Sequence, residues 1–319
     1  MERILSGKQS SVFDVAITSY KRPDMVKAAV ASCLSQGPLL DKVIAVDDGS
    51  GDDTAEVIRS LKDPRIVFFQ RAANGGIATA RRDAFALSEA DWTVILDSDH
   101  ELLPGALVGL AKLLASAPQP VDILGARHKW DTGGVTPVKV PEGIVGYRER
   151  IILSGQKDSI GADYLGAISR RIRQTVKWEP LRAGLPDTLF QLDIAKLGQA
   201  IFTPNTLALQ KSDGAHGWTR CSAAQRWARR CQDAEDGIRC LHLILGRHEA
   251  GLRRWGSRML AGLYQTGAFY AILCNRRLLA WQWLGKSLRL HPVSGHSMGL
   301  VAAGLLPGHA LKWAYLLRG

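Results

Sequence analysis

Residues 92–99 read Trp92-Thr-Val-Ile-Leu-Asp97-Ser-Asp99, an apolar run rich in β-branched residues that ends on two carboxylates. A run of this length and composition predicts a strand, Trp92–Leu96, buried in a sheet. Asp97 and Asp99 stand two positions apart, so in extended chain both project to one side and can face a single divalent cation or its water shell. Magnesium and manganese favour hard oxygen ligands, and phosphates complete the shell that a protein leaves open. A metal held there can bridge a diphosphate and stabilise its negative charge as it leaves. A lone Asp-x-Asp is common in surface loops, so the reading depends on its surroundings.

Upstream, the same design recurs. Phe13–Thr18 is a short apolar run that ends in Ser19-Tyr20-Lys21-Arg22. Pro23 then opens a helix, because a proline at the first helical position loses no hydrogen bond. Val26, Val30, Cys33 and Leu34 form its apolar stripe, and Gly37 follows its end. Lys42–Val46 is a second strand that runs into Asp47-Asp48-Gly49-Ser50, and Asp53 with Glu56 three residues on predicts a capping box. Arg65–Gln70 reads as a strand, Asn74-Gly75-Gly76 as a turn and Ile77–Glu89 as a helix. Strands alternating with helices predict a mainly parallel α/β sheet covered on both faces. Ligands of such sheets bind beyond the carboxyl ends of the strands, where Thr18–Arg22, Asp47–Asp48 and Asp97–Asp99 gather.

Downstream the pattern loosens. Asp122–Lys129 and Ala200–Gln210 read as strands, and Pro186–Leu197 as a helix closed by Gly198. Past Ser212–Gly217 the chain reads as helices, with Trp227, Cys231, Ala234, Ile238, Leu241 and Leu245 spaced four and three apart. The expected division is a catalytic domain over 1–215, with halves at about 12–104 and 105–215, and a basic helical region over 216–319.

Charge follows that division. The net charge is +11, and from His216 onward there are 15 Lys and Arg against 4 Asp and Glu; before it the count is 26 against 26. A basic last third suits an anionic lipid surface or phosphates. Trp227, Trp255, Trp281, Trp283 and Trp313, with Arg253, Arg254, Arg258, Arg276, Arg277 and Arg289, predict contact with the inner face of the cytoplasmic membrane. Met259–Asn275 and Leu290–Leu311 are apolar but interrupted, so neither reads as a span. Cys33, Cys221, Cys231, Cys240 and Cys274 show no metal-finger spacing, and the first residues lack a signal peptide's apolar core. Both point to the cytoplasm. Cys221, Cys231 and Cys240 are expected to pack as small apolar residues.

Four motifs follow one another: Val15-Ala-Ile-Thr-Ser-Tyr-Lys-Arg-Pro23, Val46-Asp-Asp-Gly-Ser-Gly-Asp-Asp-Thr54, Asn74-Gly-Gly-Ile-Ala-Thr-Ala-Arg81 and Ile95-Leu-Asp-Ser-Asp99. In this order they resemble the amino-terminal half of family 2 glycosyltransferases, which have the GT-A nucleotide-sugar fold. The resemblance covers about residues 12–210 and is most specific through Pro104. It implies a nucleoside-diphosphate sugar donor, a hydroxyl-bearing glycan or lipid-linked acceptor, and Mg2+ or Mn2+. It further implies that Thr18 and Tyr20, with Arg22 beyond them, lie on the donor, and that Asp48 accepts a hydrogen bond from its base. Asn74 and Arg81 resemble the nucleotide and diphosphate contacts, Asp97 the residue near ribose and metal, and Asp99 the direct metal ligand.

Inverting transfer also needs a base to take the acceptor's proton. Relatives place it in an acidic pair that opens a helix. The matching stretch here is Gly184-Leu-Pro-Asp187, where Pro186 replaces the first acid, so Asp187 is the expected base and Asp193 the alternative. His216, in Ser212-Asp-Gly-Ala-His216, stands where some GT-A enzymes add a histidine to the metal shell. Three other classes fit less well. A nucleotidyltransferase would carry a glycine-rich loop after the first strand, and Thr18–Arg22 has no glycine. A nucleic-acid binder is disfavoured because the basic tail has no helix-turn-helix or zinc pattern. A dinucleotide-dependent dehydrogenase would need Gly-x-Gly-x-x-Gly there.

Overall fold

Val15, Ile17, Val43, Ala45, Val94 and Leu96 are buried on one face of a sheet, and Ala16, Ile44 and Val46 on the other. This alternation gives each strand two buried faces, which is why the runs are continuously apolar. The computed structural model describes residues 13–156, 158–159, 163–182, 185–212 and 223–291. They fall into two compact units, one of residues up to Pro180 with Phe190–Asp213, the other of Leu181–Leu189 with the residues from Gly214 on. Leu181–Leu189 thus groups with the helices of the last third, where a linear division at 215 assigns it to the catalytic part.

The first unit begins with β1 (Phe13–Ser19), α1 (Pro23–Leu34), β2 (Leu40–Asp47), α2 (Thr54–Ser60), β3 (Ile66–Gln70), α3 (Ile77–Leu87) and β4 (Trp92–Asp97). It continues through β5 (His100–Leu102), α4 (Ala106–Ala115), β6 (Ile123–Trp130), β7 (Val135–Thr136), β8 (Ile144–Val145), α5 (Tyr147–Ser154), β9 (Leu165–Ser169), α6 (Arg170–Thr175), α7 (Pro186–Leu197) and β10 (Ala200–Gln210). The first turn of α7 belongs to the second unit. The strand order is β3-β2-β1-β4-β9-β6-β10-β5, with β7 beside β6 and β8 beside β10.

Strands β1 to β4 are parallel, as expected. Beyond β4 the expectation of a mainly parallel sheet fails: β9 runs antiparallel to both β4 and β6, and β5 antiparallel to β10. Of the strands that escaped sequence reading, β5, β7 and β8 have two or three residues, too few to establish a period. Helices α1 and α4 cover one face of the sheet, and α3 and the later part of α7 the other. Burying a single Ile17 or Leu96 side chain contributes about 1.5–3 kcal/mol.

Two local expectations need correction. The capping box does not form: Asp53 precedes α2 without a side-chain cap, and Asp52 Oδ1 accepts from the Thr54 N–H at 3.0 Å instead. Asp14, inside an apolar run, is fully buried because its carboxylate accepts from Lys42 N, Ser88 Oγ, Glu89 N and Ala90 N. A buried charge is tolerated when hydrogen bonds replace its water, and here it ties β1 to the turn before β4.

The second unit contains α8 (Ala223–Gln232), α9 (Ala234–Trp255), α10 (Ser257–Leu273) and α11 (Arg277–Leu290). The stripe from Trp227 to Leu245 is divided between α8 and α9, and Cys231 is exposed rather than packed. A Cβ on Gly267 would lie 2.0 Å from Leu241 and 2.7 Å from Trp283, so glycine allows α10 to approach its neighbours. Trp227 and Trp283 are buried, while Trp281 and Leu278 are exposed. Among the described residues no helix is long and apolar enough to cross a membrane. His216, Cys221 and Trp313 lie outside the described residues.

Candidate functional site

Register alone aligns the polar strand ends. Thr18 pairs with Asp97, Ser19 with Asp47, and Asp47 with Gln70. The ladder extends one residue further, with Asp48 N donating to Ser19 O and Arg71 N to Asp47 O, each at 2.9 Å. The Asp47 carboxylate accepts from Ser50 N at 3.2 Å and from the Ser50 hydroxyl. Ser50 Oγ in turn accepts from Lys21 N at 2.8 Å. Lys21 has φ 55, a conformation few non-glycine residues adopt, and Tyr20 beside it is exposed. Backbone in this state costs free energy and concentrates where a loop end is held for ligand binding.

Asp48 is buried, with three groups holding its carboxylate. Its two oxygens accept from Gly75 N at 2.9 Å and Gly76 N at 2.8 Å, and Arg71 Nε stands 2.9 Å from Oδ1. Burial pushes its carboxyl above the usual range, against the pull of those N–H groups and of Arg71. The Asn74–Gly76 turn thus folds onto the end of β2. Gly49 makes this possible: its φ is 69, and a Cβ there would lie 2.6 Å from the Ala73 carbonyl carbon. Arg71 also pairs with Asp83 on α3. Arg71 was not among the expected site residues, although its place directly after β3 marks it as a strand-end residue.

At the end of β4, Asp97 accepts from Arg81 at 2.9 Å. Burial opposes its ionisation, but Arg81, His100 and Arg22 outweigh that and hold the carboxyl below its ordinary value. Asp99 Oδ2 lies 3.4 Å from Arg22 Nη1, and Asp99 Oδ1 lies 2.8 Å from His100 Nδ1. Lys211 N donates to the Asp99 carbonyl at 2.7 Å, fastening the end of β10 to this turn. Arg22, Arg81, Asp97 and Asp99 therefore lie together at the carboxyl end of β4. Asp97, Asp99 and His100 each offer a ligand atom, all within 4.8 Å of one another. Two carboxylates and an imidazole fit a hard or borderline divalent ion.

Three residues near this edge were not expected. His100 is buried, and although burial disfavours its charge, the Asp99 hydrogen bond and the Asp97 and Asp99 charges raise its pKa. His128, on β6, is fully buried with its ring centroid 4.8 Å from that of His100. Burial and the neighbouring His100 lower its pKa to about 4. Asp163 is exposed at its own surface, yet loss of solvation and the Asp97 charge push its carboxyl up to about 6. His100 directly follows the triplet, which was a legible signal. Nothing in the sequence pointed to His128 or Asp163.

Asp187 lies in the first turn of α7 and belongs to the second unit. Asp193 is half-buried in the first unit, where its charge adds to the burial that pushes Tyr147 up to about 12.

Residues 14–176, just over half of the chain, match Glycosyl transferase family 2. The succinoglycan biosynthesis protein ExoU of Rhizobium meliloti (strain 1021) is 36% identical over 95 residues, 29% of this chain and 28% of that protein. The Escherichia coli UDP-Glc:alpha-D-GlcNAc-diphosphoundecaprenol beta-1,3-glucosyltransferase WfaP is 35% identical over 85 residues, 27% of this chain and 34% of that protein. The chain thus matches about a third or less of the length of these curated relatives. Among solved structures, S. aureus TarS 1–349 in complex with UDP-GlcNAc superposes with TM-score 0.57 at 15% identity, covering 88% of this chain and 89% of that one. The mannosyltransferase PcManGT from Pyrobaculum calidifontis, in complex with GDP-Man and Mn2+, gives TM-score 0.52 at 16% identity over 99% and 90%. Both likenesses concern the fold, which is GT-A. With the family matched across its strand-end motifs and the sheet delivering those motifs to one edge, the chain belongs to glycosyl transferase family 2.

Proposed function

We propose that this protein transfers a sugar from a nucleoside-diphosphate sugar to a hydroxyl acceptor with inversion at the anomeric carbon. The observation that carries this reading is the pairing of Asp97 and Asp99 with Arg81 and Arg22 at the carboxyl edge of β4. Asp97, Asp99 and His100 would hold Mg2+ or Mn2+, which supplies charge neutralisation for the departing diphosphate. Asp48, fixed by Gly75 and Gly76, presents an acceptor to the base, and Thr18, Tyr20 and Asn74 line the same edge. Arg81 and Arg22 hold the Asp97 carboxyl below its ordinary value, and both arginines offer cationic donors to phosphate oxygens. Asp187 takes the proton of the acceptor hydroxyl; the oxygen attacks the anomeric carbon, and the diphosphate leaves with the electrons of the broken bond.

The acceptor is a glycan or a lipid-linked glycan, as the names of the relatives suggest, and the arginine-rich last third rests on the anionic inner face of the cytoplasmic membrane. Exposed Leu278 and Trp281 beside Arg276 and Arg277 support that placement.

The test is release of nucleoside diphosphate by the full chain from UDP- and GDP-sugars, with Mg2+ or Mn2+ and with EDTA. Turnover of one donor class that EDTA abolishes is expected; turnover that survives EDTA overturns the metal-dependent reading. Asp187→Asn should keep donor binding and lower transfer by about 10²–10⁴-fold. Near-normal transfer in that variant gives the base role to another group.

A further inference from the structure

We propose that His100, His128 and Asp163 form a second cation site, selective for a borderline transition ion such as Zn2+ or Co2+. The site adjoins the Asp97–Asp99 edge and does not depend on the donor reading. Each of the three residues offers a ligand atom, and these atoms lie within 4.8 Å of one another. Four-coordinate ions bind nitrogen and oxygen at about 2.0–2.2 Å, so side-chain movements of an ångström or so would close the set on one ion.

Two independent observations point to a ligand. His128 is fully buried, and although the Gln210 side chain lies beside its ring, neither Nδ1 nor Nε2 makes a hydrogen bond of good geometry. Buried imidazole nitrogens are ordinarily paired, because an unpaired one keeps its desolvation cost without compensation. A cation accepting the lone pair of one nitrogen would remove that cost. His100, for its part, is oriented by Asp99, whose Oδ1 lies 2.8 Å from Nδ1. A carboxylate on one ring nitrogen that leaves the other for metal is the usual support of a ligating histidine.

The strands explain how the set assembles. His100 on β5 pairs with Gln210, and His128 on β6 pairs with Ala208, so the two rings flank the end of β10. Asp163 is two residues before β9, which pairs with β6. Two imidazoles and one carboxylate favour Zn2+ and Co2+ over Mg2+, which takes oxygen ligands. Both cation sites draw on His100. An ion at the histidine site therefore takes a ligand from the carboxylate site, and the two ions compete.

The experiment titrates the metal-free full chain with Co2+ at mildly alkaline pH, without nucleotide, reading the visible absorption of the ion, with Zn2+ displacement measured by calorimetry. The expected result is a saturable Co2+ spectrum of low coordination number, displaced by Zn2+ and not by excess Mg2+. Asp163→Asn and His128→Ala should each weaken it by about 10–100-fold, while Asp97→Asn leaves it in place. Asp163 is exposed, so its variant serves even if His128→Ala fails to fold. The proposal is overturned if no such spectrum forms, or if Asp163→Asn binds Co2+ as the parent does. Because nucleotide is absent, this result is separate from whether the protein uses a nucleotide sugar.

Discussion

The β1–β4 half of the sheet and the β9-β6-β10-β5 half both end at the candidate site, but they supply it differently. In the first half each contributing group stands within a few residues of its own strand end: Asp48 after β2, Arg71 after β3, and Asp97 and Asp99 at the end of β4. Charges there are matched locally, Asp48 by Arg71 and two N–H groups, Asp97 by Arg81, and Asp99 by Arg22. In the second half His128 and Asp163 arrive through strand pairing across long stretches of chain, and their groups are not matched. His128 has only a poorly aligned contact with Gln210, and Asp163 is pushed toward neutrality. The locally built edge pairs its charges with its own neighbours, whereas the edge assembled by the sheet brings together groups whose charges are not matched in this way.

The comparison breaks most visibly at Asp99. Asp99→Ala should reduce metal-dependent transfer by at least about 10²–10³-fold, the range for losing one electrostatic contact in a transition state. Its melting temperature should stay within a few degrees, since Asp99 is only partly buried and contributes little to the core. Transfer assays and thermal melts on the same preparation separate a lost site from a lost fold.

Asp48→Asn probes the locally matched half. It removes the charge that holds Gly75, Gly76 and Arg71 and turns an amide toward groups that only donate. A loss of about 2–3 kcal/mol of stability follows from such unpaired buried groups. Urea denaturation measures it; a loss near zero would mean that the Asn74–Gly76 turn holds its position without this carboxylate.

The unmatched half has a pH signature. His128 titrates at about 4 when folded and near 6.5 when unfolded, so between these values the unfolded chain binds more protons. Stability therefore falls as pH drops through this window, by on the order of 2–3 kcal/mol at its lower end. His128→Leu should flatten that acid limb, and an unchanged limb would show that another group causes it. Asp163 gives the smallest effect and the opposite sign. Its folded pKa is raised to about 6, so the stability it lends as a neutral group is lost as pH rises through that value. Without added cations, Asp163→Asn should melt above the parent at pH values over 6 and with it in strong acid.

Legibility tracked this contrast. The strand ends carrying Thr18, Asp48, Asp97 and Asp99 could be read because apolar runs of five to eight residues leave a clear period and stop on polar residues. Arg81 and Arg22 followed because they lie within the same motifs. Arg71 was missed although it is equally local; its partners Asp48 and Asp83 are recognisable only when the turn after β3 is folded back. His128 was hidden because its neighbours on β10 and β5 are 80 and 28 residues away in sequence. The capping box failed for a different reason: Asp53 sits in the right-handed helical region, φ −70 and ψ −1, instead of the extended conformation from which an N-cap side chain reaches back to the first turn.

Composition and order alone determined that this chain carries a parallel strand–helix core with acidic strand ends, because burial on two faces forces apolar continuity and a ligand edge interrupts it. The tertiary structure decided what no local pattern encodes: that β9 and β5 insert antiparallel, and that the turn after β3 closes on Asp48. It also decided that two histidines and an aspartate from separate segments meet beside Asp99. Those outcomes depend on pairing between segments distant in the chain, where the free energy is gained only once both partners are in place.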